Sequence, residues 1–219
     1  MIEYSKIETL YNRDEKTGKI IIEKVRCPEF LNIKSWQVTE KIDGTNIRIC
    51  LLQDGSVKIG GRTDAAQIYA PLAEYLYGTF TGEKLKAVFY RENEPSFEVM
   101  LFGEGYGAKI NSGGGYRAGV SFRLFDVRIG EWWLKWQDMI DIAAKLGIET
   151  VPSIPPLLTH LPTSSEELKE IISFSQVLED GGSPRIAEGI VVREPNGLLM
   201  RNRQRLMWKL KFKDFGEWR

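Results

Sequence analysis

The sequence predicts an α+β chain built mainly from antiparallel sheets flanked by helices. Three observations carry that expectation. Short apolar, β-prone runs recur along the whole chain, several are joined by two-residue turn signals, and only two stretches hold a clear helical stripe. With 219 residues, 42% apolar and 27% charged, the chain is long enough for a sizeable core and too apolar for disorder. No composition break divides it, so one domain over residues 1–219 is expected.

Taken in order, Asp14 to Lys19 (DEKTGK) reads as a turn. Thr39 to Arg62 reads as two strands, since Ile47, Ile49 and Leu51 alternate with Arg48, Cys50 and Leu52 before the Asp54-Gly55 hairpin signal. Within Ala65 to Tyr77 a helix is read after Pro71, a residue that suits a first-turn position. Phe97 to Gly103 and Gly119 to Val127 are β-prone, and the glycine-rich NSGGGYRAG between them reads as a mobile loop. Lys135 to Leu146 carries Trp136, Met139, Ile140, Ala143 and Ala144 at helical spacing and stops before Gly147. VPSIPPLL reads as a surface connector. Ser164 to Leu178 then opens on the capping box Ser164-x-x-Glu167 and keeps Leu168, Ile171, Ile172 and Ser175 on one stripe. Three short strands follow: Glu188 to Arg193, Leu198 to Asn202 after the Asn196-Gly197 turn, and Met207 to Phe212. The cluster Trp132-Trp133-Leu134-Lys135-Trp136 reads as core cover.

Composition excludes several chemistries. Cys27 and Cys50 are too few for a disulfide framework and lack zinc-ligand spacing, so they read as small interior residues. One histidine, His160, argues against His-based triads and multi-His metal centres. No apolar run approaches the roughly 20 residues that span a bilayer. The opening MIEYSKIETLYNRDEK lacks a signal-peptide core, so a cytoplasmic setting is expected, in a cell or in one expressing phage or viral genes. Net charge is zero, yet from Arg193 to Arg219 eight Lys/Arg face three acids. That local excess suits phosphate as well as it suits a solvated strand and tail.

The sharpest feature is Thr39-Glu40-Lys41-Ile42-Asp43-Gly44-Thr45-Asn46. K-x-D-G alone is a weak signal; its ordered company strengthens it. Gly61-Arg62-Thr63, Phe102-Gly103-Glu104-Gly105, Phe122-Arg123-Leu124-Phe125-Asp126, Glu188-Gly189-Ile190-Val191-Val192-Arg193 and Trp208-Lys209-Leu210-Lys211 follow, each at or just beyond a strand end. Together they offer a lysine nucleophile, two carboxylates, an aromatic stacker and a cationic pair. Lys209 and Lys211, two apart on a strand, share one face, and facing a polyphosphate they would neutralise developing charge. An edge strand that deters aggregation would carry the same lysines. Glu104 and Glu188 close apolar runs, and a hard cation is one reason for charge there, an ordinary strand end the other.

From about residue 4 to residue 213 the chain resembles the covalent nucleotidyltransferases, which comprise ATP-dependent DNA ligases, RNA ligases and mRNA capping enzymes. EKIDGTN, KIETLYNRD and EGIVVRE look most like phage-type RNA ligases of the branch that seals nicks in duplex RNA. The resemblance implies an adenylation domain with an ATP-grasp-like ligase core. It also implies an ATP-dependent RNA ligase that joins 5′-phosphate and 3′-hydroxyl ends through a Lys41-AMP phosphoramidate and an adenylylated 5′ end, with ATP as AMP donor and Mg2+ or Mn2+ as metal. Lys41 attacks the α-phosphorus. An ammonium cannot attack, and a metal ion with Lys209 and Lys211 nearby would disfavour its charged form. By the same resemblance Glu40 reads the adenine amino edge, Phe125 stacks on the adenine (Phe122 as fallback) and Arg62 holds ribose or the 5′-phosphate. Asn46 belongs to sealing, Glu104 contacts ribose or metal, Glu188 binds metal, Lys209 and Lys211 hold phosphate, and Asp43 shapes the turn. Gly103, Gly105 and Gly189 would let backbone approach the ligand. DNA ligase, capping-type guanylyltransferase and a non-catalytic RNA-end-binding module are the alternatives. Relatives carry an OB-fold or a helical module after the Lys-x-Lys strand, whereas eight residues follow Lys211 here. The expectation is a bare catalytic domain, a monomer, with the basic stretch, exposed loops such as Asn111 to Ala118, or a partner protein gripping the RNA in that module's place.

Overall fold

Alternating side chains and short turns set the architecture of the computed structural model, which describes residues 1–91, 97–111, 115–179 and 181–216. In chain order the strands are β1 (Tyr11–Arg13), β2 (Ile20–Val25), β3 (Trp36–Glu40), β4 (Thr45–Leu51), β5 (Val57–Gly60), β6 (Val99–Gly107), β7 (Val120–Ile129), β8 (Trp132–Trp133), β9 (Glu149–Thr150), β10 (Ser153–Leu158), β11 (Gly189–Arg193) and β12 (Met207–Lys211). The helices are α1 (Ala70–Thr79), α2 (Gly82–Phe89), α3 (Trp136–Leu146) and α4 (Ser165–Ile171). The chain divides into two units. Met1–Ser5, Asp43–Val151 and Leu178–Ser183 form the first; Lys6–Ile42, Pro152–Val177 and Pro184–Arg219 form the second. Among the described residues no helix is long and apolar enough to cross a membrane.

In the first unit the sheet runs β5-β4-β6-β7-β8, with β9 added parallel to β7 and the remaining pairs antiparallel. Asp54-Gly55 closes β4 onto β5, with Gly55 at a φ of +84° that favours glycine. One face of the sheet sends Ile47, Ile49, Leu101, Phe122, Leu124 and Val127 against Leu72 and Leu76 of α1 and Met139, Ala143 and Leu146 of α3. Each such buried side chain contributes about 1.5–3 kcal/mol. The helix stops are those the sequence encodes: Pro71 lies in the first turn of α1, and Gly147 ends α3 in the left-handed region. The other face is aromatic. Tyr4 packs 5.0 Å from Phe102 and 5.0 Å from Phe125 and donates to Asp126 at 2.7 Å. Arg48, fully buried there, satisfies its charge by donating to the carbonyls of Gly61, Met1 and Ile2 and to the Asp64 carboxylate.

In the second unit β1 and β2 form a hairpin around the Asp14–Lys19 turn, and a second sheet runs β10-β3-β11-β12, all antiparallel. Its core face carries Trp36, Val38, Ile190, Val192, Trp208 and Leu210, covered by Leu10, Phe30, Leu168 and Phe212. Trp36 and Trp208 meet edge to face at 5.8 Å. Ser164 caps α4 by accepting from the Glu167 amide.

Three expectations give way to tertiary context. VPSIPPLL contributes strand β10 at the edge of the second sheet, where a missing N–H is tolerated. The capped helix ends at Ile171 instead of Leu178, because Ser175 pairs with Arg185 and turns its hydroxyl to Glu40. Leu198 to Asn202 is not a strand; one bridge, Leu199 to Arg205, remains there, since Glu194 takes the amides of Asn196 and Leu198. Helix α2, capped by Thr81, is an element the sequence reading did not identify. Of the tryptophan cluster, Trp133 joins the Tyr4 aromatics and Trp136 packs on the core, but Trp132 stands exposed. Both cysteines are free thiols, Cys50 buried and Cys27 partly so. Residues 112–114, 217 and 219, included above in the glycine-rich loop and the basic stretch, lie outside the described residues.

The missing side chains of Gly103 and Gly105 make room for close packing. A Cβ on Gly105 would meet Leu72 at 2.5 Å, and one on Gly103 would strike the Phe122 ring and the Arg123 carbonyl at 2.5 Å. Gly103→Ala is therefore expected to lower stability by about 1–3 kcal/mol through overpacking. The check is the urea midpoint, which should fall with the slope unchanged.

Candidate active site

Three strands of the second unit bring the charged residues together. Lys41 follows β3 directly, and its amide donates to the Gly189 carbonyl at 2.9 Å, while Gly189 pairs with Lys211 in the β11–β12 ladder. Lys41, Gly189 and Lys211 thus form one row across the sheet, and Thr39, Val191 and Lys209, two residues along, form the next row on the same face. Met207, Lys209 and Lys211 share the face opposite buried Trp208 and Leu210, as alternation requires.

Gly189 is the exception to alternation that makes the site. Strand parity, which buries Ile190 and Val192, would send Glu188 into the core as well. Gly189 instead has a φ of +153°, and a Cβ there would overlap the Leu210 carbonyl and lie 2.7 Å from the Lys211 Cα. The Glu188 carboxylate consequently reaches the lysine face. It accepts from Lys41 Nζ at 2.6 Å through one oxygen and from Lys211 Nζ through the other.

Electrostatics follow from that bridge. Burial alone would raise the proton affinity of Glu188. The charge of Lys41 and the hydrogen bond from Lys211 outweigh it and hold the carboxyl below its ordinary range. For Lys209 no salt bridge is formed among the described residues, and the charge of Glu8 offsets its surroundings only in part. Burial first, then the charges of Lys211 and Lys41, push its ammonium down to about 8. Glu40, on the core side of β3 and almost fully buried, accepts from the Ser175 hydroxyl and from the Gln176 amide at 2.8 Å.

The other candidate residues lie on the first unit. Asn46 and Glu104 are directly opposed on β4 and β6, and the Asn46 side-chain oxygen is buried without a hydrogen-bond partner among the described residues. Gly44 presses on β6 so closely that a Cβ would lie 2.8 Å from the Glu104 Cγ, which explains the glycine of K-x-D-G. Arg62 is exposed on the turn that buried Arg48 holds through Gly61 and Asp64. Phe125 sits at the register shift of β7 beside Tyr4, half-buried, whereas Phe122 is buried in the core and packs at 5.2 Å on Phe80. Arg48, Ser175, Tyr116 and Asn111 also shape these segments. A single sequence carried no signal for the first three, and Asn111 stood in what read as a mobile loop.

Comparison with known proteins gives the class. The model described as RNA ligase matches residues 34–211, and the chain belongs to the RNA ligase family. Solved structures of the Naegleria gruberi RNA ligase share its fold. A point mutant without ligand matches with a TM-score of 0.65 at 18% identity, and a point mutant with ATP and Mn with 0.65 at 17%. The complex with PPi matches with 0.62 at 18%. Each match covers 96% of this chain and 56% of that one, so the chain spans little more than half the length of those ligases. A search of curated proteins finds no match.

Lys209 makes the site's electrostatic load measurable. The unfolded chain keeps the proton up to the ordinary value of 10.5 and the folded one releases it near 8. Below pH 8 the fold therefore carries the full penalty, and stability from this residue returns as pH climbs from 8 to 10.5. Lys209→Met is expected to raise stability by about 1–3 kcal/mol at pH 7. Urea denaturation at pH 7 and pH 10 should show that gain shrinking at the higher pH.

Proposed function

We propose that the chain is an ATP-dependent RNA ligase that joins 5′-phosphate and 3′-hydroxyl RNA ends, both units serving one adenylyltransferase activity. The observation that carries this reading is the Lys41–Glu188–Lys211 bridge at the head of β3, β11 and β12, in a chain of the RNA ligase family. RNA is the proposed partner, and a monomer acting in the cytoplasm is part of the same reading.

The chemistry runs through Lys41. Its neutral Nζ attacks the α-phosphorus of ATP; an N–P bond forms, the bond to the β-phosphate oxygen breaks, pyrophosphate leaves and the nitrogen sheds a proton. The 5′-phosphate of RNA then attacks the same phosphorus, the N–P bond breaks and Lys41 regains its proton. Attack by the 3′-hydroxyl on the adenylylated end expels AMP. In the ground state Glu188 stabilises Lys41 as an ammonium, so that pair must part before the first step. A polyphosphate supplies the reason, because it gives Lys211 and half-buried Lys209 new anionic partners and frees the carboxylate. Lys209, with its lowered proton affinity, gains most from a phosphate oxygen.

Among the described residues no cluster of three or more His, Cys, Asp or Glu could hold a metal by itself. Magnesium or manganese can be held by as few as one or two carboxylates together with phosphate oxygens and water. Glu188 is the carboxylate offered here, and Glu104 is assigned to metal or ribose. When bound, the cation neutralises charge developing on the phosphate and lowers the amine's proton affinity. The remaining assignments keep their resemblance-based roles: Glu40 for the adenine edge, Phe125 for stacking, Arg62 for ribose or the 5′-phosphate and Asn46 for sealing, where its unpartnered oxygen is ready to accept a ligand donor.

The test is incubation with labelled ATP or GTP and magnesium, then denaturing electrophoresis. Label from ATP that vanishes in Lys41→Ala is expected, and Lys211→Ala should slow labelling at least tenfold, about 1.4 kcal/mol of barrier. Label from GTP alone would move the reading to capping, absence of label to an RNA-end-binding module, and sealing of nicked DNA over nicked RNA to a DNA ligase.

A further inference from the structure

The turn that follows Lys41 is gripped by the loop between β6 and β7. Tyr116 is fully buried, and its hydroxyl accepts from the Asp43 amide at 2.9 Å. Asn111 donates through Nδ2 to the Gly44 carbonyl. Gly44 itself is pressed on β6, so the Asp43 and Gly44 residues are held at three points: the amide that enters the turn, the carbonyl that leaves it and the glycine Cα between. We infer that Tyr116 and Asn111 are positioning residues of the adenylyl-transfer step, fixing the Asp43-Gly44 turn and hence the path on which the chain leaves Lys41. This inference rests on the ligase reading above.

The grip is itself braced. Tyr106 packs edge to face on Tyr116 at 5.6 Å and donates to Glu179, which Arg117 meets at 2.5 Å and Arg123 at 3.1 Å. Arg123 also donates to the Tyr106 hydroxyl at 3.1 Å and to the Thr150 carbonyl at 2.9 Å. The Glu179 amide donates to the Tyr116 carbonyl at 3.0 Å, and Ser183 to that of Gly115 at 2.8 Å. Burial would raise the proton affinity of Glu179, but Tyr106 and the two guanidiniums keep it ionised. Asn111 holds a φ of 48°, and Lys109 two residues earlier one of 63°. Neither is glycine, so the loop adopts a backbone that the surrounding contacts must enforce. Ile110 between them is buried in the core of the same unit and anchors it. A turn held this way loses little freedom when the lysine before it must reach a phosphorus, and misplacement of a nucleophile by about 1 Å can cost on the order of a hundredfold in rate.

The test is single-turnover lysine adenylylation by the full chain with labelled ATP and magnesium, comparing wild type with Tyr116→Phe, Asn111→Ala and the double variant. Tyr116→Phe keeps the ring and removes only the hydroxyl, and Asn111 is exposed, so at least one variant retains the fold. The expected result is a rate constant at least tenfold lower in each single variant, with the ATP concentration at half-maximal rate within twofold of wild type. The double variant should lose less than the product of the two single effects. A purely structural role would lower the labelled fraction and leave the rate constant of the surviving molecules intact; that outcome overturns the inference, as does a change confined to ATP affinity. If wild type takes no label, the ligase reading falls and this inference with it. If wild type labels and both variants label at its rate, only the inference falls.

Discussion

One carboxylate holds the chemistry of the second unit together. Glu188 lies between two lysines that would otherwise repel, and it reaches them because Gly189 takes a backbone angle that a side chain could not share with the Leu210 carbonyl. Gly189 therefore contributes no side chain to the row Lys41–Gly189–Lys211, and its place is closed by the backbone of Leu210 and Lys211. Removing the acid would leave a half-buried pair of cations with no counter-charge, which low local polarity makes expensive.

The rest of that unit keeps those three strands in register. Trp36, Trp208, Ile190 and Leu210 bury the opposite face, so a slip of one residue would exchange lysines for core side chains. At the free side of β12 the chain at Glu8 and Leu10 bonds the backbone of Lys209, which protects that edge and deepens the burial that lowers its proton affinity. In the first unit the same economy appears around Gly44, Gly103 and Gly105, where absent side chains admit a turn, a ring and a helix leucine.

Much of this was legible from residues alone. Alternation around Lys209 and Lys211, the Asp54-Gly55 hairpin and the Gly147 stop are local signals that the tertiary structure did not oppose. What stayed hidden depended on partners distant in sequence. Ser175 continues a helical stripe, yet a buried glutamate at position 40 claims its hydroxyl, and the helix ends early. Asn196-Gly197 looks like a hairpin until Glu194 takes the amides the strand would need. Nor does a sequence say that Phe122 and Leu72 lie against Gly103 and Gly105. The RNA ligase family was readable through the order of its motifs. That Glu188 grips Lys41 and Lys211, and that Tyr116 and Asn111 grip the turn after them, could be known only once the strands were in place.

The crowded ammonium at position 209 has a thermodynamic echo. Near pH 8 about half of the molecules leave that nitrogen without its proton, and an incoming anion would restore it. On the proposed reading, nucleotide capture would be coupled to uptake of hydrogen ions from the medium. Its apparent heat would vary with the ionisation enthalpy of the buffer, and its affinity would weaken in alkaline solution even where ATP itself is unchanged.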